Sequence, residues 1–523
     1  MGSVQSSAKA CWYSVTAARE FRQAIGNIMK RAGKPRGPPS AETSESYLLE
    51  NPPYPEIVDL IQEMPSDHAE IIIIGSGITG AAAAFSVLRE TKSENNLRRV
   101  LVLESRSMCS GGTGRGNGLL NCAPHEMYHR LRNTLGVHRA RKIVKFQLLH
   151  TKVLMDLCQG MNWHEAEYRE KEMVDLFLSE QDRELAFAKV KELRKVIPEL
   201  KISSYNEAQA RAGALTYDSA TIWPFGFVNC VWNYLLNEYK PFLYMMTHTT
   251  VIGIEPLKKD PYAYVIHTTR GDFKCNHVVH ATNAFAPDLV PGLCGKMTGI
   301  LGTMAAIRPG YTFRAYDMGI RRAWSVVRGK TCDHVMQRPG DQAGAGTIIM
   351  SGGFSQATGH GASMIGGRET ASDDGRKVKT WSGLMSVAGD LLPFVGRLDP
   401  HITGRWPDYE SNRAFKDGHG QPDEWIAAGF GGDGLMWAWL SGTAVGIMVA
   451  RTRARRANRD LGRPAGPLSE WFPGGLKPTL ERLRDLHFNH ITTRFIWSLL
   501  TNRGPTIFHE MPVGKRYRLC IVV

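Results

Sequence analysis

The stretch Glu70-Ile71-Ile72-Ile73-Ile74-Gly75-Ser76-Gly77-Ile78-Thr79-Gly80-Ala81-Ala82-Ala83-Ala84-Phe85 decides how this chain is read. Its four isoleucines form a short β-branched run that suits a strand buried on both faces of a parallel sheet. The next six residues spell Gly-x-Gly-x-x-Gly, and the four alanines after them suit a closely packed helix. In a strand–turn–helix unit, Gly75 permits the tight turn and Gly77 lets a pyrophosphate approach the backbone. Gly80 brings helix and strand together. The helix N-terminus offers N–H groups and a positive dipole end to phosphates. These residues predict a dinucleotide site.

A second strand supports that reading. Arg99-Val100-Leu101-Val102-Leu103-Glu104 is an apolar run ending in a carboxylate placed to accept hydrogen bonds from a ribose. Glu104 lies further from Gly75 than the usual ~20 residues. The polar segment Glu90–Asn96 reads as the loop insertion that accounts for the excess. Next, Ser110-Gly111-Gly112-Thr113-Gly114-Arg115-Gly116-Asn117-Gly118 places five glycines in nine positions. Such a loop brings several backbone N–H groups near one ligand.

At this loop the chain resembles the FAD-dependent oxidoreductases of the D-amino-acid oxidase (DAO) superfamily, and most of all a branch abundant in filamentous fungi. That branch carries Ser-Gly-Ala-Thr-Gly-Arg-Asn-Gly-Gly, which is matched here at Ser110, Gly111, Thr113, Gly114, Arg115 and Gly118. The chain departs from it at Gly112 and in the order Gly116-Asn117. The resemblance runs from about residue 40 to residue 450. It includes a three-stranded meander from Thr249 to Asn283, and segments at Ile222–Pro224, Gln337–Pro339 and Ile348–Gly353 similar to parts of the substrate domain. Asp390-x-x-Pro393-x-Val395-Gly396 resembles the segment that closes the flavin site. Trp425 to Leu435 resembles the last strand and its glycine turn, with a helix from near Gly434 aimed at the flavin pyrimidine.

The resemblance implies an α/β (α+β) fold, in which a Rossmann-like FAD-binding domain of the glutathione-reductase type holds an inserted mixed β-sheet substrate domain. The expected FAD-binding stretches are 67–145, 246–290 and 380–450, and the expected substrate stretches are 146–245 and 291–379. A basic extension and proline-rich strap fill 1–66, and a basic extension fills 451–523. It assigns cofactor contacts to Gly75, Ser76, Gly77, Ile78, Thr79, Gly80, Glu104, Ser105, Arg106, Gly112, Thr113 and Arg115. Val251, Gly431, Gly432, Asp433, Gly434 and Leu435 complete the set.

The implied chemistry is oxidation of a C–N bond in an amino acid or related amine. A hydride passes to flavin N5, the imine hydrolyses, and oxygen reoxidises the flavin with formation of hydrogen peroxide. This chemistry needs only a neutral amine, so no catalytic base is assigned. A carboxylated substrate would want a bidentate arginine, with Arg338 the first candidate and Arg308 the second. Thr298-Gly299-Ile300-Leu301-Gly302-Thr303 lacks an arginine that relatives carry, which points to a bulkier or less acidic amine or a specialised-metabolism intermediate. An oxidase, a dehydrogenase or a monooxygenase acting on such an intermediate stays open. So does covalent flavin attachment. In an aromatic hydroxylase-type flavoprotein a Gly-Asp-Ala-x-His-like motif is expected, but Gly389-Asp390 is followed by Leu-Leu-Pro. A flavin-free scaffold at a membrane surface is the reading from a different class, and the intact glycines and Glu104 argue against it.

Composition sets the outer bounds. With 43% hydrophobic and 22% charged residues the chain is an ordinary globular protein rather than a disordered or membrane-spanning one. Its nine cysteines are odd in number and include no Cys-x-x-Cys, so intracellular thiols are expected and no metal site. The net charge of +14 sits at the two ends, in residues 1–40 and 451–523, around a near-neutral body. That distribution argues against nucleic acid as a partner. The termini add two short patterns, Met1–Ser6 of the myristoylation type and Cys520–Val523 of the prenylation type. Residues 12–31 also allow a basic helix. A cytoplasmic location is expected, with peripheral membrane contact or mitochondrial import as the alternatives.

His150, His164 and His248 lack metal-ligand spacing and read as structural or exposed. Trp381 and Trp437 suit either a pocket wall or the core.

Overall fold

Ile71–Ile74 forms a strand whose four residues are all buried, and Val100–Leu103 lies beside it, equally buried. Both sit inside a six-stranded sheet ordered Phe394–Arg397, Asp423–Ala428, His277–His280, Ile71–Ile74, Val100–Leu103, Leu243–Met246. Every neighbouring pair is parallel except the first, where Phe394–Arg397 runs antiparallel to Asp423–Ala428. Burial on both faces explains why these strands read as unbroken apolar runs.

The computed structural model describes residues 30–40, 42–205, 212–308, 321–329, 331–340, 346–352, 379–408, 421–451 and 461–486, with isolated positions between 19 and 27. Both lipidation-like motifs and most of the 12–31 stretch lie outside the described residues. No helix among the described residues is long and apolar enough to cross a membrane. No His, Cys, Asp and Glu group among them could hold a metal ion.

Helix Ile78–Ser93 leaves the first strand and packs against helix Ala438–Ala450. A Cβ on Gly442 would lie 2.3 Å from the Thr79 carbonyl oxygen, and one on Gly446 would lie 2.7 Å from that of Ala83. Two glycines one turn apart therefore bring the backbones of the two helices into contact. Ser86 Oγ donates to the Thr443 carbonyl across the same crossing.

The expected meander is present as Val251–Pro256, Tyr264–Thr268 and Gly271–Cys275, all antiparallel. A ten-stranded mixed sheet forms the second layer. Its central path runs Lys379–Ala388, Met297–Ile307, Ile348–Gly352, Thr331–Gln337, Arg322–Arg328, Arg169–Phe177, Ala214–Thr221. Lys379–Ala388, read from sequence as opening the third cofactor-binding stretch, pairs here with Met297–Ile307. Leu243–Met246, read as ending a substrate stretch, forms an edge of the six-stranded sheet.

Trp381 and Trp437 are both buried, and each packs in the apolar core. Part of the basic C-terminal stretch folds back on the body. Arg482 grips Asp390 through Nε (2.8 Å) and a second guanidinium nitrogen (3.1 Å), and Trp439 Nε1 donates to the Gly462 carbonyl at 2.7 Å.

Candidate cofactor and substrate site

Between the two large sheets lies a cavity of about 700 Å³. One wall is the turn after Ile71–Ile74. Gly75 has φ +107°, and a Cβ there would sit 2.7 Å from the Ala281 carbonyl oxygen. Gly80 stands behind the wall, where a Cβ would sit 2.0 Å from the Gly75 carbonyl oxygen. Both positions therefore demand glycine, the first for conformation and the second for space. Gly77, Ile78 and Thr79 face the cavity at the start of the helix. Ile78 N–H donates to Thr113 Oγ1 at 3.2 Å, which ties the glycine-rich loop to the helix N-terminus.

Glu104 lines the cavity and is held rigidly. Its Oε2 accepts from Ser76 Oγ at 2.6 Å and from Ser76 N–H at 3.0 Å, and its Oε1 accepts from Arg106 N–H at 3.1 Å. Ser76 itself is fully buried and outside the lining; its Oγ also accepts from Cys109 N–H. Its place is to orient Glu104.

Of the expected cofactor residues, all but Ser76 and Gly80 line the cavity, including Ser105, Arg106, Gly112, Thr113, Val251 and Gly431 to Leu435. Arg115 lines it too, but its guanidinium is buried in the protein. Its nitrogens donate to the carbonyls of Ser110, Ser44 and Ser382 and to Thr43 Oγ1. The arginine thus pins the proline-rich strap to the large sheet.

The two arginines expected to anchor a carboxylate lie elsewhere. Arg338 already holds one, since its Nε and a second guanidinium nitrogen contact the two Glu167 oxygens at 3.0 and 2.5 Å. Its guanidinium also stacks 4.5 Å from the Trp223 ring centre. Arg308 is exposed at the end of Met297–Ile307. Neither lines the cavity. The strand that lacks the relatives' arginine receives one from the strap instead. Arg36 donates to the Gly299 carbonyl at 2.9 Å, and a Cβ on Gly299 would lie 2.6 Å from its Cζ.

His150 is buried and structural. Its Nδ1 faces the Phe146 and Gln147 carbonyls and its Nε2 accepts from Leu440 N–H at 3.2 Å, near the start of helix Ala438–Ala450. Burial pushes its pKa down to about 4, so it serves as a neutral acceptor. His164 and His248 are exposed.

Sequence reasoning missed the polar wall of the large sheet, where Asn117, Asn121, Cys332, His334 and Ser351 line the cavity opposite the glycine turn. Cys332 and His334 alternate along one strand and so share a face, but period-two polarity in a short segment carries no motif. It also missed the strap residues Gly37 to Pro39, which line the cavity while Gly37 N–H donates to Asp288 Oδ1 at 2.7 Å. Asp433 and His334 are electrostatically linked. Burial raises the Asp433 pKa and lowers that of His334, and each charge opposes the shift of the other.

The residues present fit a bound dinucleotide. A helix N-terminus whose N-cap, Gly77, carries no side chain opens onto the cavity, beside a tight glycine turn and a carboxylate already oriented.

Comparison with known proteins bears on the fold and on the family. The structure is similar to glycine oxidase from Geobacillus kaustophilus, with TM-score 0.51, 17% identity, and 79% of this chain and 99% of that chain covered. It is similar to the L-amino acid deaminase from Proteus vulgaris with its specific insertion sequence deleted (TM-score 0.53, 13% identity, 78% and 97% covered). The same holds for L-proline dehydrogenase from P. horikoshii (TM-score 0.50, 16% identity, 78% and 97% covered). No curated protein matches by sequence. Residues 70–446 match the family model described as FAD dependent oxidoreductase. That match takes in the glycine turn, the meander and the strands of both large sheets, and by it the chain belongs to the DAO family of FAD-dependent oxidoreductases.

Proposed function

We propose that this FAD enzyme oxidises a carbon–nitrogen bond of a small amine or amino acid, with molecular oxygen as the final acceptor and hydrogen peroxide as product. One observation carries the reading: a single cavity joins the phosphate-cradling turn at Gly75 to Thr79 with the polar wall of the large sheet at His334, Ser351 and Asn121. The three similar structures are named for glycine, L-amino acid and L-proline, which supports an amine as substrate.

When bound, the flavin supplies the hydride acceptor. The chain's own residues do the rest. Gly77 to Thr79 and Glu104 bind and orient the cofactor, and the 3-10 turn Gly434–Met436 leads a helix N-terminus to the cavity. Leu301, Met304 and Leu384 supply apolar lining that excludes water from part of it. The polar wall positions the amine.

The test is an absorbance spectrum of the purified full chain, repeated anaerobically with a panel of amino acids and secondary amines. Flavin absorbance that bleaches with an amine, and peroxide released on admitting air, supports the proposal. Bleaching without peroxide assigns a dehydrogenase. A flavin that no amine bleaches overturns amine oxidation.

A further inference from the structure

Four strands of the large sheet place one polar residue each on the same cross-strand rung. Ser351 pairs with His334, His334 with Ser325, and Ser325 with Asp175. Residues directly opposite one another share a face of the sheet, so all four side chains point the same way. Ser351 and His334 line the cavity, whereas Ser325 and Asp175 are buried behind it. His334 Nδ1 lies 2.9 Å from Ser325 Oγ, and Asp175 stands directly opposite Ser325 on the adjoining parallel strand, where the hydroxyl favours the charged carboxylate. On the next strand the Tyr217 hydroxyl sits 3.2 Å from Asp175 Oδ1 and 3.0 Å from Asn121 Oδ1, and Asn121 lines the cavity again.

The circuit has two proton states with one set of heavy-atom positions. Asn121 Oδ1 accepts from Ala123 N–H, which fixes it as an acceptor. Tyr217 has one proton to give. With Asp175 ionised, Tyr217 donates to the carboxylate. With Asp175 protonated, the carboxyl donates and Tyr217 turns to Asn121.

We propose that this rung is a proton relay, in which His334 takes the ammonium proton of the arriving amine and Ser325 passes it to Asp175. The proposal rests on the amine oxidation proposed above and assigns the substrate as one that arrives as an ammonium cation. The substrate N–H proton bonds to His334 Nε2, and the Nδ1 proton moves to Ser325 Oγ. The Ser325 hydroxyl proton then moves to the Asp175 carboxylate. The products are a neutral amine and a neutral carboxyl, with His334 and Ser325 each left holding one proton, as before. His334 and Ser325 end with their donor and acceptor sides exchanged, and reset when Asp175 releases its proton.

The charges around the rung suit this order. His334 faces Asp433 and Asp333, which favour its cation, but burial outweighs them and lowers its pKa. The thiol of Cys332 lies 3.4 Å from its Nε2 and is pushed up to about 12, so it adds no charge. Arg130, on helix Pro124–Leu135, balances Asp433. Burial raises the Asp175 carboxyl to about 7, helped by Glu126 and opposed by Tyr217 and Ser325. A proton passed by a weakly basic imidazole thus ends on a group poised near neutrality.

His334 is the catalytic residue of the relay, and Asp175 and Ser325 are positioning residues. The test follows the His334 ring signal by NMR in histidine-labelled, flavin-loaded full chain, assigned by its loss in His334→Gln. In the unmodified protein that signal should show a second inflection near pH 7, where Asp175 ionises beside the ring, and Asp175→Asn should remove it. Ser325→Ala should weaken that inflection, because the hydroxyl joining ring and carboxyl is gone, and it covers the case where Asp175→Asn fails to fold.

The rate of anaerobic flavin bleaching by the amine found in the panel supplies the second readout. In the unmodified protein it should rise through about pH 7, as Asp175 ionises. In Ser325→Ala it should fall by roughly tenfold or more and lose that limb. A His334 ring signal with no inflection near pH 7 that Asp175→Asn removes, or a pH limb unchanged in Ser325→Ala, overturns the relay. Failure to bind flavin would instead count against the proposed function.

Discussion

Ser76 Oγ donates to Glu104 Oε2 at 2.6 Å, joining the glycine turn to the end of the neighbouring strand. The middle residue of the glycine motif therefore never faces the cavity. It holds the carboxylate that does, and a second bond from its own N–H locks the arrangement.

Ser76→Ala should weaken FAD binding by about tenfold, the equivalent of one hydrogen bond to a charged group. Glu104→Ala should weaken it further, because the ribose acceptor goes as well. Titration of apoprotein with FAD, read by quenching of flavin fluorescence, measures both. Equal affinities for Ser76→Ala and the unmodified chain would refute the assignment.

Gly80→Ala should destabilise the fold by ~2 kcal/mol or more and strip the flavin. Its Cβ would lie 2.0 Å from a backbone carbonyl oxygen that cannot move aside without breaking the turn. Gly474→Ala, where nothing lies within 4 Å, is the control and should change neither property. Thermal unfolding with and without added FAD gives the comparison.

Arg338→Ala should lower stability by about 1–2 kcal/mol while leaving KM for a carboxylated substrate unchanged. The fork meets Glu167 and the Trp223 ring, and the residue lies outside the cavity lining. Glu167→Gln should lower Tm in the same direction. A severe rise in KM for Arg338→Ala would return the arginine to substrate binding.

Arg405 grips Glu424 through two nitrogens at 2.6 Å, and His280 Nε2 lies 2.8 Å from the same carboxylate. The Glu424 carboxyl is held down at about 2 against burial, by hydrogen bonds from Arg405 and His280. A carboxyl depressed in the folded state adds stability above its unfolded pKa, and that stability fades as pH falls toward the folded value. The contribution, on the order of 2 kcal/mol, should be full at pH 6 and drain between about pH 4.5 and 2. Burial also depresses the His280 pKa, so protonation of that ring adds its own loss below its ordinary value. Denaturant titrations of the unmodified chain and Glu424→Gln across this range should converge at the acid end. A difference that stays constant with pH would rule the ion pair out.

The glycine-turn wall of the cavity was legible because it is local. Gly75, Gly77 and Gly80 lie within one turn, and Glu104 ends the next strand of the same parallel pair. A positive φ at Gly75 and the close approach of the Gly75 carbonyl to Gly80 call for glycine at those two positions. The meander from Val251 to Cys275 was legible for the same reason, since adjacent short strands pair with each other.

The polar wall was not legible, because its partners come from distant strands. Asp175, Ser325, His334 and Ser351 become one rung only through the register of four strands drawn from residues 169 to 352. Arg338 looked available for a substrate carboxylate, but Glu167 lies 171 positions away in sequence and meets it through the fold. Arg36 reaches Gly299 across 263 positions. Local chemistry in the sequence determined the glycine turn and the carboxylate that line one wall of the cavity. Long-range strand pairing alone decided which side chains face it, because no period or motif encodes the register between strands so far apart.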